Sequence, residues 1–163
     1  MTKLNVGCGS KILSGYINID LFVKHPNVVN MDVSKLKFDD NSIEEILAED
    51  IIEHFPRLQW KEVIDEWVRV IKPDGILSLQ FPEMKQLSQA LIDSKNIEDW
   101  EKYNRRIFGG QGDGINNGQG MFHYTGFSYE YMREWLEKRH SLVYVEHHYH
   151  NYNCFLVMKK KAK

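Results

Sequence analysis

Residues 4–10 read LNVGCGS, an apolar strand-like run passing into two glycines, and residues 16–20 read YINID, a second run that ends on Asp20. A strand that stops in a glycine turn lets backbone N–H groups come close to a ligand, and a carboxylate at the tip of the next strand suits a ribose diol. Such glycines also have a plainer use, because they take up positive φ at no steric cost. The dinucleotide-binding fingerprint matches poorly: it needs a third glycine where this chain has Ile12, and an acid about 20 residues further on. Asp20 comes too early for that. Between Gly9 and Tyr16 there is room for roughly a turn and a half of helix, so the first crossover is expected to be truncated.

Strand and helix patterns alternate from there on. NVVNM (27–31) is a third β-branched run, ending at Asp32, and IEEILAE (43–49) a fourth, entered through the turn Asp39-Asp40-Asn41-Ser42. From Leu58 to Lys72, Trp60, Val63, Ile64, Trp67, Val68 and Ile71 recur at helical spacing, which gives one broad apolar face and makes both tryptophans core residues. Pro73-Asp74-Gly75 stops that helix, and ILSLQF (76–81) is a fifth strand. Helices are expected over 84–93, over 97–107, and from a Ser128 cap to about Arg139. LVYVEHH and NCFLVMK close the chain as a hairpin about His150-Asn151-Tyr152. Strands separated by helices call for an α/β fold with a mostly parallel sheet, here finished by an antiparallel pair.

The 163 residues form one domain, 1–163, with the lysine-rich residues 159–163 expected to be a disordered basic tail. A net charge of −2 argues against nucleic acid as a partner, since phosphate neutralisation needs a basic face. No run approaches the ~20 apolar residues of a membrane span, and no signal-peptide pattern precedes the first strand. Cys8 and Cys154 lack metal-type spacing, so a reduced cytoplasmic setting is expected. GGQGDGINNGQG (109–120) is half glycine and must be a loop, either a passive connection or a lid over substrate.

Several motifs, in order, resemble class I S-adenosylmethionine (SAM)-dependent methyltransferases: LNVGCG with GYINID, FDDNSIEEILAEDIIEHF (38–55) and IKPDGILSLQFPE (71–83). The run Phe108–Gln111, FGGQ, is similar to that of a small bacterial and phage-associated branch. The resemblance implies a three-layer sandwich around a seven-stranded sheet of order 3-2-1-4-5-7-6 with strand 7 reversed. It also implies SAM as cofactor, held by Asn5, Gly7 and Gly9 in the first turn and by Asp20 on the ribose. Leu21 would pack on the adenine, Asp32 and the Val33 amide would meet its edge, and Ala48 and Glu49 would face the reactive end. Removing the Asp20 side chain is expected to spare the fold.

Transfer of a methyl group to a hydroxyl needs a base, and His54, next to the end of the fourth strand, is the first candidate, with His123 the second. Gln111 and Tyr124 are candidates to orient substrate. The fourth-strand segment lacks the Asn/Asp-Pro-Pro-aromatic tetrad of amino-directed DNA methyltransferases. His147, His148, His150 and Cys154 lie on alternating strand faces, so no metal is expected there or elsewhere. Cys8 has no evident base beside it, and reads as a small residue fitted among glycines. The expected activity is O- or N-methylation of a small-molecule or glycan-precursor substrate, in a chain that could complete its pocket as a homo-oligomer. The alternative is a non-catalytic SAM- or nucleotide-binding module serving a partner subunit.

Overall fold

The computed structural model describes residues 2–111 and 122–162. Strands β1 (Lys3–Val6), β2 (Ile17–Asp20), β3 (Val28–Asn30), β4 (Ile43–Glu49), β5 (Ile71–Pro82), β6 (Leu142–His150) and β7 (Asn153–Lys160) form one sheet, ordered β3-β2-β1-β4-β5-β7-β6. β1 to β5 pair in parallel, whereas β7 is antiparallel to both β5 and β6. Order and reversed strand are those expected above. The helices are α1 (Trp60–Val70), α2 (Met84–Ile92), α3 (Ile97–Phe108) and α4 (Tyr129–Arg139), with a 3-10 turn at Ile52–His54. No helix among the described residues is long and apolar enough to cross a membrane.

Strand alternation turns Val6, Ile46, Leu77, Leu79, Leu156 and Met158 into one buried cluster, and α1 and α4 pack on it through Trp60, Ile64, Trp67, Met132 and Leu136. Trp60 joins the two helices, meeting Trp135 edge-on at 4.6 Å and Phe127 at 5.1 Å between ring centroids. Such pairs add about 0.5–1.5 kcal/mol to the burial itself.

Three boundaries differ from the sequence reading. Lys159 and Lys160 belong to β7 rather than to a disordered tail: Lys159 pairs with Asp74 (2.7 Å), and Lys160 Nζ donates to the Val68 (2.7 Å) and Ile71 (2.6 Å) carbonyls. α1 ends at Val70 and β5 already begins at Ile71; its register on β4 then jumps from Ile43↔Ile71 to Glu45↔Ile76, so Lys72–Gly75 loops out. Lys72 precedes a proline, which drives it away from helical geometry. At the closing hairpin His150 is part of β6, and the turn contracts to Asn151 and Tyr152, at φ 47° and 65°. Two left-handed residues match the twist of the strands they join.

Among the described residues no helix bridges β1 to β2, β2 to β3 or β3 to β4. Side-chain ties stand in for them. Asn5 Nδ2 donates to the Lys11 carbonyl (2.7 Å) and to Asn18 Oδ1 (2.9 Å); Asn18 in turn accepts from Leu13 N (2.9 Å) and donates to its carbonyl (3.1 Å). The segment before β4 is fastened to α1. Trp67 Nε1 donates to the Val33 carbonyl (2.9 Å), Glu66 accepts from Leu36 N (2.8 Å), and Arg69 reaches the Leu36 and Phe38 carbonyls, Glu66 and Asp40.

Candidate functional site

β1 and β4 are neighbours from which the chain winds in opposite directions, and in open α/β sheets ligands bind outside the carboxyl ends of such strands. Two turns meet there. Gly7 and Gly9 follow β1 at φ 63° and 51°, and Ile51 follows β4. A Cβ on Gly7 would stand 2.6 Å from Ile51 Cγ1, so this glycine lets the turns interlock. A Cβ on Gly9 would meet nothing within 4 Å, which leaves open space over the backbone at the place where a ligand would pass.

Asp20 ends β2 beside that space. Its carboxylate accepts from Gly9 N (2.9 Å) at one oxygen, and from Phe22 N (2.8 Å) and Val23 N (3.0 Å) at the other. A carboxylate has about four acceptor positions, so one remains for a ligand hydroxyl. The same bonds hold both the glycine turn and the turn after β2, so the side chain has a structural part beside any contact to a ligand. Leu21 and Phe22 follow it, 48% and 43% exposed, and offer an apolar surface. Asp32 is exposed and accepts from Ser34 N (2.9 Å) and Oγ (2.7 Å). Val33 is buried in the core.

Asn5 is only 2% exposed and is spent on the loop after β1. Ala48 is buried at 1%, in the same cluster as Val6 and Leu79, so it can meet a ligand only through its backbone. Glu49 stands at the carboxyl end of β4 and pairs with Lys11. Lys11 escaped the sequence reading because the loop that returns it to β4 is fixed by Asn5 and Asn18, which no local pattern announces.

Behind this edge lies a compact group. Glu53 is 1% exposed, and among the described residues neither carboxylate oxygen has a hydrogen-bond partner. Its backbone carbonyl accepts from Tyr124 N (2.8 Å) and Thr125 N (3.2 Å), and Thr125 Oγ1 donates to the Phe55 carbonyl (2.9 Å), which straps residues 122–125 across 53–55. That strap brings His123 to His54, with ring centroids 4.9 Å apart, and His123 Nε2 to 4.0 Å from Glu53 Oε1. His54 Nδ1 donates to the Phe122 carbonyl (2.9 Å), and His123 Nδ1 to that of Arg106 (3.0 Å). One ligand atom of each of Glu53, His54 and His123 lies within 4.8 Å of the others.

Burial raises the Glu53 carboxyl well above its usual range, and the nearby Asp50 charge adds to this. Burial lowers His54; it lowers His123 to about 4, with the neighbouring His54 assisting. Both imidazoles are therefore neutral at pH 7. The structure thus brings together the two histidines singled out from sequence and adds Glu53, the neighbour of His54 in the chain.

Tyr124 is 59% exposed and stacks with Phe122 at 6.1 Å. Gln111 (φ 36°) donates to the Phe108 carbonyl (3.2 Å). Gly109 bridges to Phe122, so the glycine-rich segment leaves and returns at one point beside the strap; residues 112–121, and with them most of the expected lid, lie outside the described residues. Of the hairpin residues, His148 and His150 are exposed and Cys154 is buried, while His147 stacks on Tyr129 at 3.8 Å. A groove of about 570 Å³ runs between α2 and α3, lined by residues such as Lys85, Gln89 and Tyr103, none of which belongs to the site.

The sequence model of a family described as a methyltransferase domain matches residues 4–79, from β1 into β5. A search of curated proteins finds no similar sequence. Among solved structures, a Pyrococcus horikoshii OT3 protein is 20% identical with a TM-score of 0.68, over 98% of this chain and 82% of that one. The 1,6-didemethyltoxoflavin-N1-methyltransferase of Burkholderia thailandensis, solved with 1,6-didemethyltoxoflavin and S-adenosylhomocysteine, is 15% identical with a TM-score of 0.66, over 99% and 71%. A SAM-dependent methyltransferase from Methanosarcina mazei is 14% identical with a TM-score of 0.64, over 99% and 93%. The chain therefore has the fold of SAM-dependent methyltransferases, and a methyltransferase-domain sequence signature over residues 4–79, which carry the glycine turn.

Proposed function

We propose that this chain is a SAM-dependent methyltransferase acting on an oxygen or nitrogen of a small-molecule or glycan-precursor acceptor, in the reducing cytoplasm where free Cys8 and Cys154 persist. The observation that carries the reading is the open backbone at Gly9, bound to the Asp20 carboxylate and set at the sheet's switch point. Bound there, SAM supplies an electrophilic methyl on a sulfonium, open to in-line attack. Gly7 and Gly9 bring the backbone close, Asp20 offers its remaining acceptor position to the ribose, and Leu21 and Phe22 cover the adenine. Asp32 and the Val33 amide lie one strand further along for its edge. Lys11 and Glu49 present one charge of each sign to a zwitterionic methionine end. The chain's own task is alignment and exclusion of water, worth about 7–11 kcal/mol in well-oriented reactions.

The acceptor would lie over the Glu53–His54–His123 group, with Tyr124 and Gln111 at its rim. A neutral imidazole can take a hydroxyl proton there, and His54 is the first candidate. The small-molecule acceptor named for the Burkholderia thailandensis structure supports the choice of substrate class. Calorimetry with S-adenosylhomocysteine and, separately, NAD tests the reading. One equivalent of S-adenosylhomocysteine should bind and NAD should not; the reverse pattern would overturn it.

A further inference from the structure

We infer that Glu53, His54 and His123 form a binding site for a borderline divalent first-row cation of the zinc class. A buried carboxylate with two bare oxygens is costly unless something pairs with it, and the described side chains supply no donor. The two imidazoles within 4.8 Å of it are prepared as ligands rather than donors. A carbonyl oxygen only accepts, so the bonds to Phe122 and Arg106 fix each imidazole proton on Nδ1 and leave the lone pair on Nε2. Metal-bound histidines are oriented in this way, by an outer carbonyl or carboxylate on the other ring nitrogen.

Two imidazoles and one carboxylate are a ligand set that zinc uses, and with three protein ligands a further position stays open. The 4.0 Å from His123 Nε2 to Glu53 Oε1 exceeds the ~3.3 Å between ligands around a tetrahedral ion with bonds of about 2.0–2.1 Å, so loading draws the side chains inward by less than an ångström at that pair. The strap at 122–125 and the 3-10 turn at Ile52–His54 hold the three ligands from two separate chain segments, which is why no motif spacing reveals the set. In the cation-free chain the Nε2 lone pair of His54 stays available to take a proton, the role proposed for it above.

The test uses the chelator-treated full chain without cofactor or acceptor, so its failure leaves the methyl-transfer reading intact. Titration with Co²⁺ and Zn²⁺ should load one equivalent. The cobalt form should show visible ligand-field bands and no near-ultraviolet sulfur-to-metal charge transfer. Glu53→Gln and His123→Gln should each weaken binding beyond the about 10–100-fold that loss of an outer partner costs. His148→Gln/His150→Gln, in the exposed hairpin, should bind as the parent does. If Glu53→Gln fails to fold, His123→Gln and the parent cobalt spectrum still decide. Failure to load one equivalent, a thiolate band, or binding that survives His123→Gln and disappears with the hairpin variant would each overturn the proposal.

Discussion

At the scale of single residues, two glycines in one turn perform different tasks. Gly7 is needed for packing as well as for φ: alanine there combines left-handed strain with a clash against Ile51, a loss of about 2–5 kcal/mol. Gly9 is needed for φ alone in the ligand-free chain, so Gly9→Ala should cost only about 1–2 kcal/mol. If a cofactor crosses that open space, the same methyl group should weaken S-adenosylhomocysteine binding by at least tenfold, measured calorimetrically on a variant that still melts cooperatively. Undiminished affinity in Gly9→Ala would place the ligand elsewhere. Asp20→Ala is the less clean probe, because it frees three backbone N–H groups along with any ribose contact. The glycine turn and Asp20 were legible in the sequence because both belong to one strand-turn-strand unit. The partnership of Glu53 with His123 was not, since it depends on a strap of backbone bonds between segments far apart in the chain.

At the scale of elements, one residue outside the candidate site has a wide reach. Glu83, 2% exposed at the end of β5, accepts from Lys85 N (3.0 Å) with one oxygen and from Tyr129 N (2.7 Å) with the other. It therefore caps α2 and the start of α4 together, and helps set α4 on the core face beside α1. Glu83→Ala should cost about 2–4 kcal/mol, two caps' worth, while Glu83→Gln, which keeps one carbonyl oxygen, should lose about half of that. Thermal melts of the two variants check this; equal loss in both would mean that the carboxylate serves a single helix. Ser128 was readable as a cap from its place before an apolar run, because that bond is local. Glu83 was not, because half of its work is done across 46 residues. The helix-strand boundary at Ile71 escaped for a related reason: the periodicity continues through it, and only pairing with Ile43 converts it to strand.

For the whole molecule, the sheet divides into unequal halves. β4, β5, β6 and β7 have 7, 12, 9 and 8 residues, and α1 and α4 pack along them; β1, β2 and β3 have 4, 4 and 3, joined by connections without helices among the described residues. The long half follows from periodic patterns that sequence displays well. The short half, which carries the proposed cofactor site, is held by polar ties whose partners are distant in sequence, so its order was legible only through family resemblance. Such ties also make it respond to acid. The Glu66 carboxyl is lowered from its ordinary value of 4.5, first by the hydrogen bond from Arg69, and it also anchors Leu36 N. A lowered folded value gives stability that is complete above pH 4.5 and is lost as the pH falls through the folded value. With Arg69 about one-third exposed, solvent screening limits this tie to about 1–2 kcal/mol. At pH 7 Glu66→Gln should therefore melt about 2–8 °C below the parent. The gap should narrow steadily below pH 4.5 as the parent's own carboxylate takes up a proton. A gap that stays constant down to pH 3 would mean that Glu66 holds the segment by packing rather than by charge.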